Sequence, residues 1–282
     1  MKKLFALSCI SSVLLFGAVN DVVPSDYEAP LVDSTVMSVN YLSKELKIKS
    51  LPNDYVKQNT YVLRYTRGID VNGKTLGLSF ALPYTNLTSN GVALPSILGK
   101  ESEGLSDIIL SATYWLTNDR KNKNFLALTT TLAIPSGKYD QTQLLNTGEN
   151  RYKSTFHIGY ISKLSNDFII ELSPEIAFYG DANTKNGKMT QKPSYALSSN
   201  LRYKPNTKYE LFGGFQHNYQ SETTVNNIDK NDNCFYQKYS FGGAYYTDKF
   251  HQIMVKFATE RDKEFGFRAD NEVLLRYRWW FK

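Results

Sequence analysis

Cysteine is almost missing from this chain. There are two, Cys9 and Cys234, and Cys9 falls in an N-terminal leader, so the processed chain keeps one thiol and cannot be held by an internal disulfide. Histidine is nearly as scarce, with His157, His217 and His251 only. No serine sits in a G-x-S-x-G elbow and no H-E-x-x-H occurs, which removes the common hydrolase and zinc-protease signatures. The formal net charge of +6 is spread along the chain without a Lys/Arg cluster, so nucleic acid is not indicated as a partner. Beyond the leader no apolar run approaches the 18 or so residues of a membrane helix.

What is present is aromatic. Phe, Trp and Tyr make up 14% of the 282 residues, with 20 Tyr and 16 Phe, yet the mean hydropathy is −0.40. A strand that shows lipid one side chain and water the next averages out in this way. The N-terminus names the compartment. Lys2 and Lys3 precede an apolar stretch from Leu4 to Phe16, and polar residues begin near Asn20. That is the layout of a secretory signal peptide over 1–20, with Ala18 and Asn20 as the −3 and −1 residues of the cut. Cys9 lies too early in the apolar run for a lipid anchor. Loss of Lys2 and Lys3 takes the formal charge from +6 to +4, because 1–20 holds no acid.

From residue 57 a period of two recurs in runs of 10–13 residues. Tyr61, Leu63 and Tyr65 share one face; so do Leu76, Leu78, Phe80 and Leu82, and later Tyr195, Leu197, Leu201 and Tyr203. Alternation places successive side chains on opposite sides of a sheet, and this length suits a strand crossing a bilayer at a tilt. Rings bracket several runs (Phe168 and Phe178, Tyr209 and Tyr219), as two interfacial girdles require. The connections alternate too. Those at 68–73, 118–123, 163–167, 204–207 and 247–249 are short; those at 83–103, 135–153, 180–192, 220–233 and 261–269 are long. With the C-terminus in the periplasm, short turns fall periplasmic and long loops extracellular. Eleven strands follow residue 57. The stretch 37–51, where Leu46 and Ile48 alternate with Lys47 and Lys49, supplies either a twelfth strand or a short helix or lumen plug. The expected fold is all-β: a transmembrane, antiparallel, up-and-down β-barrel of about 12 strands, within a range of 10–14, over residues 57–282, preceded by an N-terminal segment at 21–56. Gly213-Gly214 and Gly242-Gly243 read as bends or bulges of the wall.

Three motifs add a family. Gly104-Leu105-Ser106-Asp107-Ile108 opens a strand, Leu132-Ala133-Ile134-Pro135-Ser136-Gly137-Lys138-Tyr139-Asp140 leaves one, and Leu145-Asn146-Thr147-Gly148-Glu149-Asn150 follows. In this order they resemble the outer-membrane transporters of the MetA-pathway of phenol degradation family, over about residues 60–282. Ser106 stands where that family often has Gly, Ser136 where it often has Thr, and Lys282 follows the terminal aromatic Phe281. The resemblance implies an outer-membrane barrel that passes small, often hydrophobic molecules; it does not carry a particular substrate.

If the apolar stripes face lipid, the alternate residues face the lumen: Arg64, His157, Glu171, Glu175, Arg202, Glu210, Lys238, Lys256, Glu260, Arg276 and Arg278. Such charges cost about 2–4 kcal/mol against mid-bilayer lipid, so their sorting to one face supports the assignment. They form either a constriction that selects solutes or cross-strand ion pairs that fill and stiffen a narrow barrel, and the second weighs more. No nucleophile–base pair, metal set or cofactor motif stands out. The expected partners are outer-membrane lipid and lipopolysaccharide, the barrel-assembly machinery through the last strand, and a small solute. The leading function is a channel for small, hydrophobic or aromatic molecules. The rival is a non-conducting barrel that acts through its extracellular loops. Circular dichroism of the purified protein in detergent should be dominated by strand; a mainly helical spectrum would overturn the architecture.

Overall fold

The computed structural model describes residues 23–281. The leader, its cleavage point and Lys282 lie outside the described residues. The elements run β1 (Thr35–Ile48), β2 (Leu51–Val71), β3 (Lys74–Asn90), α1 (Leu94–Leu98), β4 (Glu101–Leu105), β5 (Ile108–Asp119), β6 (Asn124–Ile134), β7 (Lys153–Lys163), β8 (Phe168–Tyr179), β9 (Ala182–Thr184), β10 (Gly187–Gln191), β11 (Ser194–Tyr203), β12 (Tyr209–Gln220), β13 (Thr223–Val225), β14 (Ile228–Asp229), β15 (Cys234–Tyr246), β16 (His251–Arg261) and β17 (Arg268–Phe281).

Twelve of these strands form one closed antiparallel wall. Each pairs with its neighbour in chain order once the short β4, β9, β10, β13 and β14 are set aside, and β1 closes the ring on β17 from Thr35↔Phe281 to Lys47↔Arg268. Closure is what lets strands live in hydrocarbon, because every backbone N–H and C=O finds a partner and no edge remains. The stretch 37–51 therefore supplies the twelfth strand, and the segment ahead of it supplies a plug as well: residues 23–30 lie within the periplasmic half of the lumen, and 31–33 are exposed at its rim. Five connections at the periplasmic end are short. One extracellular connection is also short, the two-residue turn Lys49-Ser50 between β1 and β2, an exception to the expected sorting of loops.

The alternation seen in the sequence becomes an outside and an inside. Along β11, Tyr195, Leu197, Leu201 and Tyr203 are exposed, while Ala196, Ser198, Asn200 and Arg202 are buried. Rings gather at two levels. Phe168 packs on Tyr203 and Tyr209 on Tyr245 near the periplasmic turns; Phe156 meets Phe178, and Tyr195 meets Tyr219, near the other rim. These are the two girdles that mark the membrane interfaces. His217 stacks on Phe235 and His251 on Tyr277, both on the outer face.

Three features depart from a plain cylinder. The first concerns Gly214 and Gly242, whose ladders run past them without a register shift. A Cβ at Gly242 would strike the Val255 carbonyl and the Phe212 ring, and one at Gly214 would strike Asn200 and Ser240. These glycines make room for inward side chains instead of bending the wall. The second is at β1, where Leu46 and Ile48 face inward. With Val56, Leu87, Leu94, Leu98, Leu145 and Phe267 they form an apolar core inside the extracellular mouth, under α1. The third is a bulge in the wall. Strand β3 pairs with β5 up to Ala81↔Ile109 and with β4 from Tyr84↔Leu105, a one-residue shift that the Ser106 N–H bridges by donating to the Pro83 carbonyl (2.9 Å), so β4 continues β5 along the same edge of β3. Pairing of β5 with β6 ends at Ile108↔Ile134, and β3 is the only strand paired with β4 among the described residues. Outside the wall, β9, β10, β13 and β14 make a small four-stranded sheet from two extracellular loops.

Leu197 is 51% exposed at mid-strand. Leu197→Arg should therefore lower stability in lipid vesicles by about 2–4 kcal/mol, measured by denaturant unfolding, while Leu197→Ala costs clearly less.

Candidate functional site

The lumen is organised around the plug. Asp26 and Glu28 are two residues apart in an irregular stretch, so they reach opposite walls. Asp26 Oδ1 accepts from Arg276 (2.8 Å) and Arg278 (2.7 Å) of β17. Glu28 accepts from Arg202 of β11 (2.8 Å), with Lys123 at 3.4 Å. Burial pushes both carboxyls up, but Arg276, Arg278 and Arg64 outweigh it at Asp26, and Arg202 and Lys123 at Glu28. Each is held down at about 2. Backbone bonds complete the seating. Ser25 N–H donates to Glu171 (3.0 Å), Trp115 Nε1–H to the Tyr27 carbonyl (2.8 Å), and the Arg120 guanidinium to the Ala29 carbonyl. The Tyr27 ring lies on Gly159, where a Cβ would collide with it, and its hydroxyl meets Ser173 Oγ (2.9 Å).

Arg202 is the centre of this arrangement and is fully buried. It bonds Glu171 (2.7 Å), Glu28 (2.8 Å) and, through two nitrogens, Glu210 (2.8 Å each). Lys204 lies 3.8 Å from Glu210. Three carboxylates thus meet three cations, Arg202, Lys123 and Lys204, in a fork geometry that a lysine at position 202 could not reproduce. Higher in the lumen, Glu272 sits among Lys238 (2.8 Å), Lys44 (3.2 Å) and Lys256 (3.9 Å). Glu260 accepts from the Ala269 N–H (2.9 Å) and lies 3.7 Å from Lys263.

A third group has the connectivity of an acid–base–hydroxyl relay. His157 Nδ1 is 2.8 Å from Glu175 Oε2, and its Nε2 is 3.0 Å from Thr155 Oγ1. The void beside Thr155, bounded also by Asp107, Glu149, Arg151 and Lys153, is about 10 Å³.

The three sequence motifs converge on this bulge and on the far edge of β4. The buried Asp107 carboxylate accepts from the Gly137 N–H (2.9 Å) and the Glu149 N–H (2.8 Å). Lys138 N–H and Thr147 Oγ1–H both donate to the Leu105 carbonyl (2.9 and 3.0 Å). Added Cβ atoms at Gly137 or Gly148 would meet Asp107 or its backbone. The loop after β6 thus takes over the hydrogen bonds that a neighbouring strand would give β4.

The eleven candidate residues all lie on the inward side of their strands, nine buried and Arg64 and Arg278 half-buried. Glu171, Arg202 and Glu210 come together; Arg276 and Arg278 meet at Asp26; His157 pairs with Glu175. Lys238 bonds Glu272 and not Glu210. Sequence reasoning passed over Glu272, although it has the parity of Arg276 and Arg278. It had no signal for Asp26 and Glu28, which belong to no strand; it marked Asp107 within a family motif but not its partners, which are backbone groups about 30 and 42 residues away.

A family described as "Putative MetA-pathway of phenol degradation" matches residues 54–271, and the chain belongs to it. The outer-membrane channel COG4313 from Pseudomonas putida F1 superposes with a TM-score of 0.85 at 23% identity, covering 93% of this chain and 100% of that one. The β-domain of the Bordetella autotransporter BrkA gives 0.57 at 12% identity, over 88% and 99% of the two chains. The transport unit of the autotransporter AIDA-I from Escherichia coli gives 0.51 at 9% identity, over 97% and 96%. No curated protein sequence matches significantly. The fold is that of an outer-membrane β-barrel, and its apolar belt places the chain in that membrane.

Arg202→Met leaves the buried Glu171 without its cation and takes a partner from the buried Glu210 and the half-buried Glu28, and should cost about 3–5 kcal/mol in stability, read by heat-induced mobility change or denaturant unfolding. Plug seating should follow pH. Both plug carboxyls titrate lower when seated than when free, where their values are 3.8 and 4.5. Their contribution is complete above pH about 5 and is lost as pH falls toward 2. Single-channel conductance should therefore stay low at neutral pH and rise over that acid window. Asp26→Asn with Glu28→Gln should raise it at pH 7.

Proposed function

We propose that this protein is a passive outer-membrane channel for small hydrophobic molecules. The observation that carries this reading is the pairing of an apolar core in the extracellular mouth with a stretch of wall, β4, that no strand covers on its far edge. Leu46, Val56, Leu87, Leu145 and Phe267 build the first. The second begins where pairing of β5 with β6 ends at Ile108↔Ile134, beyond which β4 is flanked by the loop after β6. The lumen charges bond one another and the plug, so a hydrophilic solute meets a filled interior, whereas an apolar one finds apolar contacts at the mouth. The name of the Pseudomonas putida relative, an outer membrane channel, agrees with this. The eleven lumen candidates then act chiefly as packing and plug-seating groups, and no reaction is assigned to the chain. Outer-membrane lipid, lipopolysaccharide and the barrel-assembly machinery, through β17, are its proposed partners. The folded extracellular sheet of β9, β10, β13 and β14 favours the second reading, a barrel that works through its loops.

Vesicles with a lipopolysaccharide outer leaflet test the two. Incorporated protein should speed uptake of apolar aromatic and aliphatic compounds several-fold over empty vesicles, with little swelling by sugars. Sugar permeation at porin rates, or no acceleration of any apolar compound, would defeat the channel reading.

A further inference from the structure

Beneath the plug, on the periplasmic side, lies a cavity of about 1090 Å³, at the upper end of the roughly 300–1,000 Å³ usual for small-molecule pockets. Its rim is made by the periplasmic turns after β5, β11 and β15 and by the end of β17; its roof is the plug. The lining is basic: Arg120, Lys123, Lys204, Lys208, Lys249 and Arg278 against Glu28 and Asp248. Glu28 is already held by Arg202 and Lys123, and Asp248 accepts from the Phe250 N–H in its own turn (2.6 Å). Among the described residues, no carboxylate is within 4.0 Å of Arg120, Lys208 or Lys249. Among the remaining lining residues, which include small polar and aliphatic ones, Tyr246, Phe250 and Trp280 stand beside the cations. Lys204 lies 4.0 Å from the Tyr246 ring centroid, Lys249 4.9 Å from Phe250, and Arg278 5.8 Å from Trp280. A concave surface with uncompensated cations concentrates anions, and ring faces beside the ammonium groups favour a ligand with a flat apolar body.

We propose that this vestibule is a binding site for small organic anions that carry an apolar body, with aromatic and aliphatic carboxylates as the class. The carboxylate would lie against Arg120, Lys208 and Lys249, and the body against Tyr246, Phe250 and Trp280. Its role as the last station of a permeating solute rests on the channel reading, but binding itself does not.

The full processed chain in nanodiscs is titrated with 2-naphthoate and with its neutral isostere 2-naphthamide. Calorimetry is read against empty nanodiscs, which subtract partition into lipid. The naphthoate should bind about tenfold or more tighter than the amide, and added salt should narrow the difference. Lys208→Gln with Lys249→Gln, in turns outside the wall, should weaken the naphthoate about tenfold and leave the amide unchanged. Arg120→Gln, tested separately, should act in the same direction. Equal affinity for the two compounds, or naphthoate binding unchanged in the variants, would overturn the proposal. Uptake of neutral hydrocarbon into vesicles is measured on the same preparations. If binding fails while that uptake persists, the vestibule site falls alone. If uptake fails while binding persists, only the channel reading falls.

Discussion

Hydrocarbon offers a peptide group nothing to bond with, and this constraint shapes the whole molecule. Strands can remain there only when their ladder closes on itself, and here it closes where β1 meets β17. Closure divides every strand into two faces. Lipid takes the apolar one, and the polar one is turned into a narrow tube with the residues of eleven other strands. Charges forced into that tube are shielded from water and must find opposite charges nearby. Arg202 does so with carboxylates from both neighbouring strands and from the plug.

The plug follows from the same logic. Without residues 23–30, Arg202, Arg276 and Arg278 would each lose an acidic partner. With them, two carboxylates on one short segment tie β11 and β17 together across the lumen. Tyr27 adds shape to charge: its ring fits only because position 159 has no side chain. A single irregular stretch therefore blocks the tube and neutralises it at once, while leaving beneath it a basic, aromatic-lined chamber.

The wall is weakest where the family motifs gather. Proline at position 83 brings no N–H to the ladder, β4 is paired on one side, and a loop held by Asp107 completes the other. Motifs that read along the chain as turn chemistry are, in space, one clasp over the far edge of β4. Glycine at 137 and 148 is required there by the close approach of Asp107.

The period-two stripes by themselves determined the class of fold, eleven of the twelve wall strands and the face each listed charge takes, because alternation is a property of neighbours in the chain. They also determined the girdles, since those rings stand at strand ends. Only the tertiary structure decided which charges meet. Glu175 turns to His157 and Lys238 to Glu272, and Gly242 yields to Phe212; such pairings depend on stagger between strands, which alternation does not encode. The plug's two acids, the apolar mouth built by Leu46 and Ile48, and the clasp at Asp107 lay beyond sequence reading for a related reason. Each depends on irregular backbone meeting residues far away in the chain, and no local period marks such contacts.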